Sequence, residues 1–206
     1  MNQTSSSRTF SPWIRWAAAL WLLVWLPAYA VYWGWPNFLH FCDVAVLLAC
    51  IGFLRGDALL LSSQAVSSLV PDLLWSLDAG WRLLSGRSLV GDTEYLWDAR
   101  VPLWVRHLSL FHVVLPFFLV LALRRTGYDR RAWALQSSIA AVLLIASRFA
   151  DPVRNLNFAF ADPILHRALG PAPVHLAIIL FVTVGIIYWP THWALAHIFS
   201  APPPPD

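Results

Sequence analysis

Residues 13–33, WIRWAAALWLLVWLPAYAVYW, already decide the kind of fold that this chain adopts. The stretch carries one charged residue, Arg15, and matches the run of about 20 apolar residues that an α-helix needs to cross a bilayer core of about 30 Å. Backbone polar groups in lipid must be hydrogen-bonded within the segment itself, which favours a helix. The stretch therefore predicts a membrane-spanning helix.

The rest of the chain repeats this apolar character. It has 206 residues, of which 59% are hydrophobic and 12% charged, and that charged fraction is about half that of an ordinary soluble domain. Apolar stretches predict six spans, at about 13–33, 37–54, 58–77, 102–123, 132–150 and 174–190. We expect an all-α polytopic transmembrane bundle. A single domain would cover 13–198, between a polar tail at 1–12 and a disordered Pro-rich tail at 199–206.

The distribution of arginine predicts the orientation of the bundle. The link RRTGYDRR, residues 124–131, holds four of the fourteen basic residues of the chain, and such clusters mark cytoplasmic loops. With six spans, both termini then lie in the cytoplasm. The other arginines are scattered between apolar spans instead of forming one basic face, so we expect no nucleic-acid partner.

Polar residues of the spans gather at one membrane face. Because successive spans alternate in direction, the starts of spans two, four and six share a face with the ends of spans three and five. Charged groups cost about 2.5–3.5 kcal/mol near the centre of a span, so they often mark function. The residues placed at this face are Asn37, His40, Cys42, Asp43, Asp72, Asp78, His107, Ser109, His112, Arg148, Asp151, Asn155, Asn157 and His175.

Several of these residues also have a purely structural interpretation. His40 and Asp43 are three residues apart on one helix face and can pair, and Arg148 and Asp151 have the same spacing. Asp72 follows a proline, which frees a backbone carbonyl that a nearby polar group can satisfy. The polar face therefore predicts either a functional cavity or a set of local pairs.

Cys42 is the best nucleophile at this face. Cys50 lies about 12 Å further along the same predicted helix, too far for a disulfide, and we interpret it as an apolar packing residue. A thiol needs a base within hydrogen-bond reach. His40 is two residues from Cys42 and points to another side of the helix, so His112 or His107 would have to supply the base.

Three strings carry a resemblance to a known family: LHFCD at 39–43, SSLVPDLLW at 67–75 and RHLSLFH at 106–112. They resemble the YwaF-type integral membrane proteins, which include a lysophospholipid acyltransferase that acts through a membrane Cys and a His. A more distant similarity is to the androgen-induced-protein family of lipid esterases. Over about residues 37–121, the resemblance implies that Cys42 is the nucleophile and His112 the base.

Other strings resemble a family of bacterial polytopic membrane proteins. These are GYDRRA at 127–132, DPVRNLNF at 151–158 and YWPTH at 188–192, taken together with LHFCD. This resemblance implies a multi-pass protein of the bacterial inner membrane, with the lipid bilayer as its surroundings.

Three classes of function follow from these observations. The first is a membrane component that binds a small ligand, a lipid or a membrane protein partner at its polar face. The second is lipid acyl transfer or ester hydrolysis, in which Cys42 attacks, His112 moves the proton, and Asp43 or Asp72 orients the imidazole. The third is a haem or metal site. Its ligands would be His40, His107, His112 and His175, but no HxxxH or HExxH pair occurs, and we expect no metal or other cofactor.

Overall fold

The computed structural model describes residues 10–91 and 93–199, and all the regular secondary structure within them is helical. The predicted all-α fold is confirmed. A π-helical segment, Val182–Tyr188, joins the last two α-helices into one continuous element. The α-helices of the described chain are α1 Pro12–Tyr32, α2 Phe41–Arg55, α3 Ala58–Ser85, α4 Leu103–Leu108, α5 Phe111–Thr126, α6 Ala132–Ser147, α7 Ala172–Phe181 and α8 Trp189–Ile198.

The helices have the length and composition of an integral membrane protein. Four stretches are long and apolar enough to cross a bilayer: Pro12–Tyr32, Ala58–Ser85, Leu103–Thr126 and Ala172–Ile198. The other two predicted spans correspond to α2 and α6, which have 15 and 16 residues and are shorter than a full crossing of about 20. Large apolar side chains cover the outside of the bundle, as a lipid-facing surface requires.

Helix α3 lies at the centre of the bundle. It packs most extensively against α5, α2 and α6, and it also touches α8 and the π segment. Every residue from 61 to 68 is buried, including the polar side chains in this stretch. This part of α3 is enclosed on all sides. The polar groups of residues 61–68 therefore face other helices, not lipid.

A tight connection sets α2 against α3. Gly56 ends α2 with φ +68°, a left-handed conformation that glycine adopts without strain. The Asp57 carboxylate then accepts a hydrogen bond from Leu60 N at 3.0 Å and caps α3. Gly52 lets the two helices approach closely, because a Cβ there would lie 2.9 Å from Leu61 Cγ. These features make α2 and α3 antiparallel neighbours.

The first helix leaves a gap beside the rest of the bundle. Helix α1 packs mainly against α2, whereas α5 packs mainly against α3. A cleft consequently lies between α1 and α5, with α2 as its floor.

Only a small part of the predicted tails can be described. Phe10 is buried and packs edge to face against Phe53, with ring centroids 5.2 Å apart, so the chain joins the core just before α1. The remainder of both predicted tails, residues 1–9 and 200–206, lies outside the described residues, as does Asp92.

Candidate functional site

A buried polar cluster lies where the sequence places the polar face. Asp43 on α2 and Asp72 on α3 are 2% and 1% exposed, and His112 on α5 is 8% exposed. Cys42 and Asp43 are adjacent at the start of α2, and His112 stacks on Trp75, which is three residues from Asp72 on α3. Because α2, α3 and α5 pack against one another, the four residues predicted as catalytic lie on three helices in mutual contact.

The His112 imidazole is held in one orientation. Its Nδ1 lies 2.8 Å from the carbonyl oxygen of Ser109, and because a carbonyl only accepts, Nδ1 carries the proton. The ring stacks on Trp75 at 4.5 Å and on Phe111 at 4.0 Å between centroids. Nε2 has no hydrogen-bond partner in the described part of the chain. A neutral His112 thus presents Nε2 as a proton acceptor.

Two tyrosines lie on the His112 side of the cluster. The Tyr29 hydroxyl is 2.9 Å from Ser109 Oγ, and the carbonyl of the same serine binds His112 Nδ1. Tyr95 lies in a short 3₁₀ turn between α3 and α4 and packs edge to face against Trp33, with ring centroids 6.0 Å apart. Burial raises the pKa of the Tyr95 hydroxyl, which keeps it a neutral donor at physiological pH.

The predicted catalytic residues share a neighbourhood but are not joined as a triad. Within residues 10–91 and 93–199, no hydrogen bond connects Cys42 to His112, or His112 to either carboxylate. Asp43 instead accepts a 2.6 Å bond from Asn37 Nδ2. Asp72 Oδ2 is buried without a partner. A backbone carbonyl, not a carboxylate, orients the imidazole.

Asn157 and His175 fasten the segment between α6 and α7 onto the bundle. The Asn157 amide accepts from Phe41 N at 2.9 Å and donates to Leu39 O at 2.7 Å and to Ser147 Oγ at 2.9 Å. The His175 ring uses both nitrogens, donating from Nε2 to the carbonyl of Phe158 and accepting from Leu169 N at Nδ1. Both residues are predicted members of the polar cluster; in the structure Asn157 holds the start of α2, and His175 joins α7 to the segment that precedes it.

Three further predicted residues organise loops at this face. Asp78 accepts hydrogen bonds from Leu89 N at 2.6 Å and Val90 N at 2.8 Å, and also from Thr93 N and the Thr93 hydroxyl. Asp151 accepts from Val153 N. Asn155 accepts from the backbone N–H groups of residues 160 and 161.

Neither of the two local pairs proposed from spacing is formed. The Arg148 guanidinium stacks over the Phe160 ring at 4.1 Å, and Asp151 caps its own loop, so no salt bridge joins the two within the described chain. His40 and Asp43 are likewise not hydrogen-bonded to each other. Residues three apart share a helix face, but better partners on neighbouring elements satisfy them first.

A buried amide network lies deeper in the bundle and was not foreseen. Gln64 Nε2 donates to Ser63 Oγ at 2.7 Å and to Gln136 Oε1 at 3.3 Å, and Gln136 Nε2 donates to Ser67 Oγ at 2.9 Å. Ser67 Oγ lies 3.4 Å from the Tyr188 hydroxyl at the end of the π segment. Two glutamines within apolar spans were the sequence signal for this network, since buried amides need partners there.

The cleft between α1 and α5 has a volume of about 360 Å³. His107 is its one strongly polar lining residue, and it is exposed. Phe111 lines the cleft and also stacks on His112, so the cleft wall adjoins the polar cluster. The lining residues are Trp13, Ile14, Ala17, Ala18, Trp21, Val46, Cys50, Phe53, His107, Leu110, Phe111, Val114, Leu115 and Phe118.

The four histidines considered as metal or haem ligands do not form one site. Within the described residues, no group of three or more His, Cys, Asp or Glu side chains is placed to hold a metal ion. Both nitrogens of His175 are hydrogen-bonded to the backbone, and His107 lies at the cleft.

Comparison of the chain with models of known protein families, with curated proteins and with solved structures finds no match. The polar cluster and the cleft are therefore the features that bear on function, because fold alone does not specify it.

Proposed function

We propose that this integral membrane protein binds a membrane lipid, with one acyl chain in the cleft between α1 and α5 and the polar end of the lipid toward the buried cluster. The cleft is the observation that supports this. Its volume of about 360 Å³ falls within the range of about 300–1,000 Å³ typical of small-molecule sites. Its lining is apolar apart from His107.

The shape of the cleft suits an extended hydrocarbon chain. Its lining follows α5 from Phe111 to Phe118, a rise of about 10 Å at 1.5 Å per residue, and continues to His107 on the preceding α4. The His107 end lies at the polar face, and the Phe118 end lies toward the Arg-rich loop at 124–131. A lipid bound in this direction has its headgroup at the polar face and its tail in the hydrocarbon region.

Photo-crosslinking tests this proposal. The purified protein is reconstituted with a phospholipid that carries a diazirine in one acyl chain, and the adducts are located by peptide mass spectrometry. We expect adducts on cleft residues, and we expect Ala17→Phe, which fills the cleft from α1, to remove them. Leu20→Phe is the matched control, because Leu20 is exposed on the same helix outside the cleft. Adducts spread evenly over lipid-facing residues, and unchanged by Ala17→Phe, would contradict the proposal.

The same proposal includes an orientation in the bacterial inner membrane. The four arginines of residues 124–131 favour a cytoplasmic loop, which places both termini in the cytoplasm and the polar cluster at the outer face. A membrane-impermeant biotin reagent applied to intact cells should label a cysteine introduced at Val153, which is 91% exposed at the polar face, in a Cys42→Ala/Cys50→Ala background. It should leave a cysteine at Arg130 unlabelled until the membrane is opened.

Thiol-dependent acyl transfer is the second candidate, favoured by the free Nε2 of His112. In this reaction, the Cys42 sulfur attacks the ester carbonyl carbon, the C–O bond breaks, and His112 carries the thiol proton to the leaving alcohol. The resulting thioester then passes its acyl group to a second alcohol or to water. For this step the Cys42 thiol and the His112 imidazole must come within hydrogen-bond reach. In this candidate mechanism, lipid binding brings the two groups together.

Acyl-probe labelling of wild type and variants tests this second candidate. Labelling that needs Cys42 and His112 but not Cys50 supports it, and the adduct should be released by hydroxylamine as a thioester. Cys50 is the matched control, since it is a buried thiol on the same helix, facing the cleft. Equal labelling of both cysteines, unaffected by His112→Ala, would contradict acyl transfer and leave lipid binding in place.

A further inference from the structure

Three side-chain oxygens on α3 are buried without a hydrogen-bond partner among residues 10–91 and 93–199. They are Gln64 Oε1, Ser68 Oγ and Asp72 Oδ2, on residues that are 0%, 2% and 1% exposed. Because the residues are four positions apart, they follow one another along a single face of the helix. A buried polar group without a partner is costly. Three in a row therefore indicate that something polar occupies the space beside them.

Neighbouring polar residues on α3 are satisfied by protein partners. Gln64 Nε2 already donates to Ser63 and Gln136, which fixes the direction of its Oε1. Ser67 hydrogen-bonds with Gln136 and Tyr188. The unpartnered oxygens thus lie on a face that these contacts do not reach.

The space beside this face is bounded by other helices. Helix α3 packs against α2, α5 and α6 and also touches α8 and the π segment. Because Gln64, Ser68 and Asp72 are all buried, the face that they share is enclosed within the bundle.

The spacing of the three oxygens selects the occupant. Residues four apart are separated by a rise of about 6 Å, and one water molecule making two hydrogen bonds of about 2.8 Å at a tetrahedral angle joins oxygens about 4.6 Å apart, a distance that side chains leaning toward each other reach. A metal cation needs several oxygens at about 2.3–2.6 Å from a common centre. Side chains spread over two such intervals do not meet that requirement.

We propose that Gln64, Ser68 and Asp72 bind a single file of water molecules inside the bundle, one between each successive pair. Polar, enclosed positions with several hydrogen-bonding groups are where proteins hold buried water. The file solvates the Asp72 carboxyl group and extends hydrogen-bonded water from there to Gln64, deep in α3. This site is separate from the cleft and does not rest on the proposal of lipid binding.

Thermal unfolding of two matched serine variants tests the proposal. Ser67→Ala is the control, because Ser67 has protein partners, and we expect it to lower the unfolding temperature by about 2–4 °C. If water pairs with Ser68, Ser68→Ala breaks the file and lowers the unfolding temperature by a similar amount. If no water lies beside this face, Ser68→Ala only removes an unpaired hydroxyl, and the unfolding temperature should equal or exceed that of wild type. That result would overturn the proposal.

A second measurement on the wild-type protein covers the case in which Ser68→Ala fails to fold. Nuclear Overhauser spectra in detergent micelles report water molecules that stay near a buried proton. Cross peaks between long-lived water and the side-chain protons of Gln64 and Ser68 support the water file. Their absence, with the control cross peaks of exposed residues present, would overturn it.

Discussion

Asp78 illustrates how a carboxylate at the end of a span acquires its role from the loop that follows. Its two oxygens accept from the backbone of residues 89, 90 and 93 and from the Thr93 hydroxyl. The sequence could place Asp78 at the polar face, but its partners lie 11 to 15 residues away in a loop whose course the sequence does not determine. Its contribution is therefore structural.

Replacing this carboxylate should loosen the loop without unfolding the bundle. Asp78→Asn keeps the size of the side chain but removes the charge that strengthens these hydrogen bonds, at an expected cost of about 2–3 kcal/mol. Trypsin should then cut faster after Arg87, which is exposed in the same loop. Asp98→Asn is the control, because the Asp98–Arg100 pair is at the surface. Equal cleavage rates in wild type and Asp78→Asn would contradict this role.

The roles of Asn157 and His175 could be predicted only in part, for a similar reason. Counting spans predicts that both residues belong to the polar face. Their partners are backbone groups of distant elements, such as Phe41 N and the Phe158 carbonyl. Asn157 also has φ +52°, a left-handed conformation that asparagine tolerates better than most residues. Periodicity in the sequence carries no information about such long-range pairs.

At the scale of the element, helix positions could be predicted better than helix ends. The predicted start of span two at 37 is a 3₁₀ turn, Trp35–Leu39, and α2 begins only at Phe41. The last helical stretch runs to Ile198, eight residues beyond the predicted end at Pro190. Pro190 follows the π segment, where the α-helical hydrogen-bond ladder is already interrupted, so its missing N–H costs little.

One methyl group added at the contact between α2 and α3 should lower the stability of the protein. Gly52→Ala places a Cβ 2.9 Å from Leu61 Cγ, and we expect a loss of about 1–3 kcal/mol, seen as a lower unfolding temperature. Gly80→Ala on α3 is the control, since no atom lies within 4 Å of a Cβ at that position. Alanine there should raise stability by about 0.5–1 kcal/mol. A higher unfolding temperature for Gly52→Ala would contradict the tight packing.

We expect the stability of the fold to depend on pH through an ion pair in the Arg-rich loop. The Arg131 guanidinium beside Asp129 holds the pKa of that carboxyl below its ordinary range. The ionised pair therefore stabilises the folded state above about pH 4, and this stabilisation disappears as the pH falls through the lowered pKa. Asp129→Asn should lower the free energy of unfolding at pH 7 by no more than about 1 kcal/mol. This loss is measured as a lower unfolding temperature. The difference from wild type should shrink at pH 3. A difference that grows at pH 3 would contradict this assignment.

At the scale of the whole molecule, the bundle combines a polar interior with an apolar cleft. Composition and span counting predicted the all-helical fold with long apolar helices. They did not predict the cleft, because it arises from α1 packing on α2 while α5 packs on α3. Rotation of each helix about its axis decides whether Phe111 and Ala17 face each other across a gap, and that rotation is set by packing.

Lipid retention measured by native mass spectrometry tests whether an acyl chain occupies the cleft between α1 and α5. Wild type, Ala17→Phe and Leu20→Phe are purified in the same mild detergent and released from the micelle under the same conditions. The account predicts one tightly held phospholipid in wild type and in Leu20→Phe, and its loss in Ala17→Phe with the unfolding temperature in detergent unchanged. Equal lipid occupancy in all three proteins, or none in any, would contradict an acyl chain in the cleft.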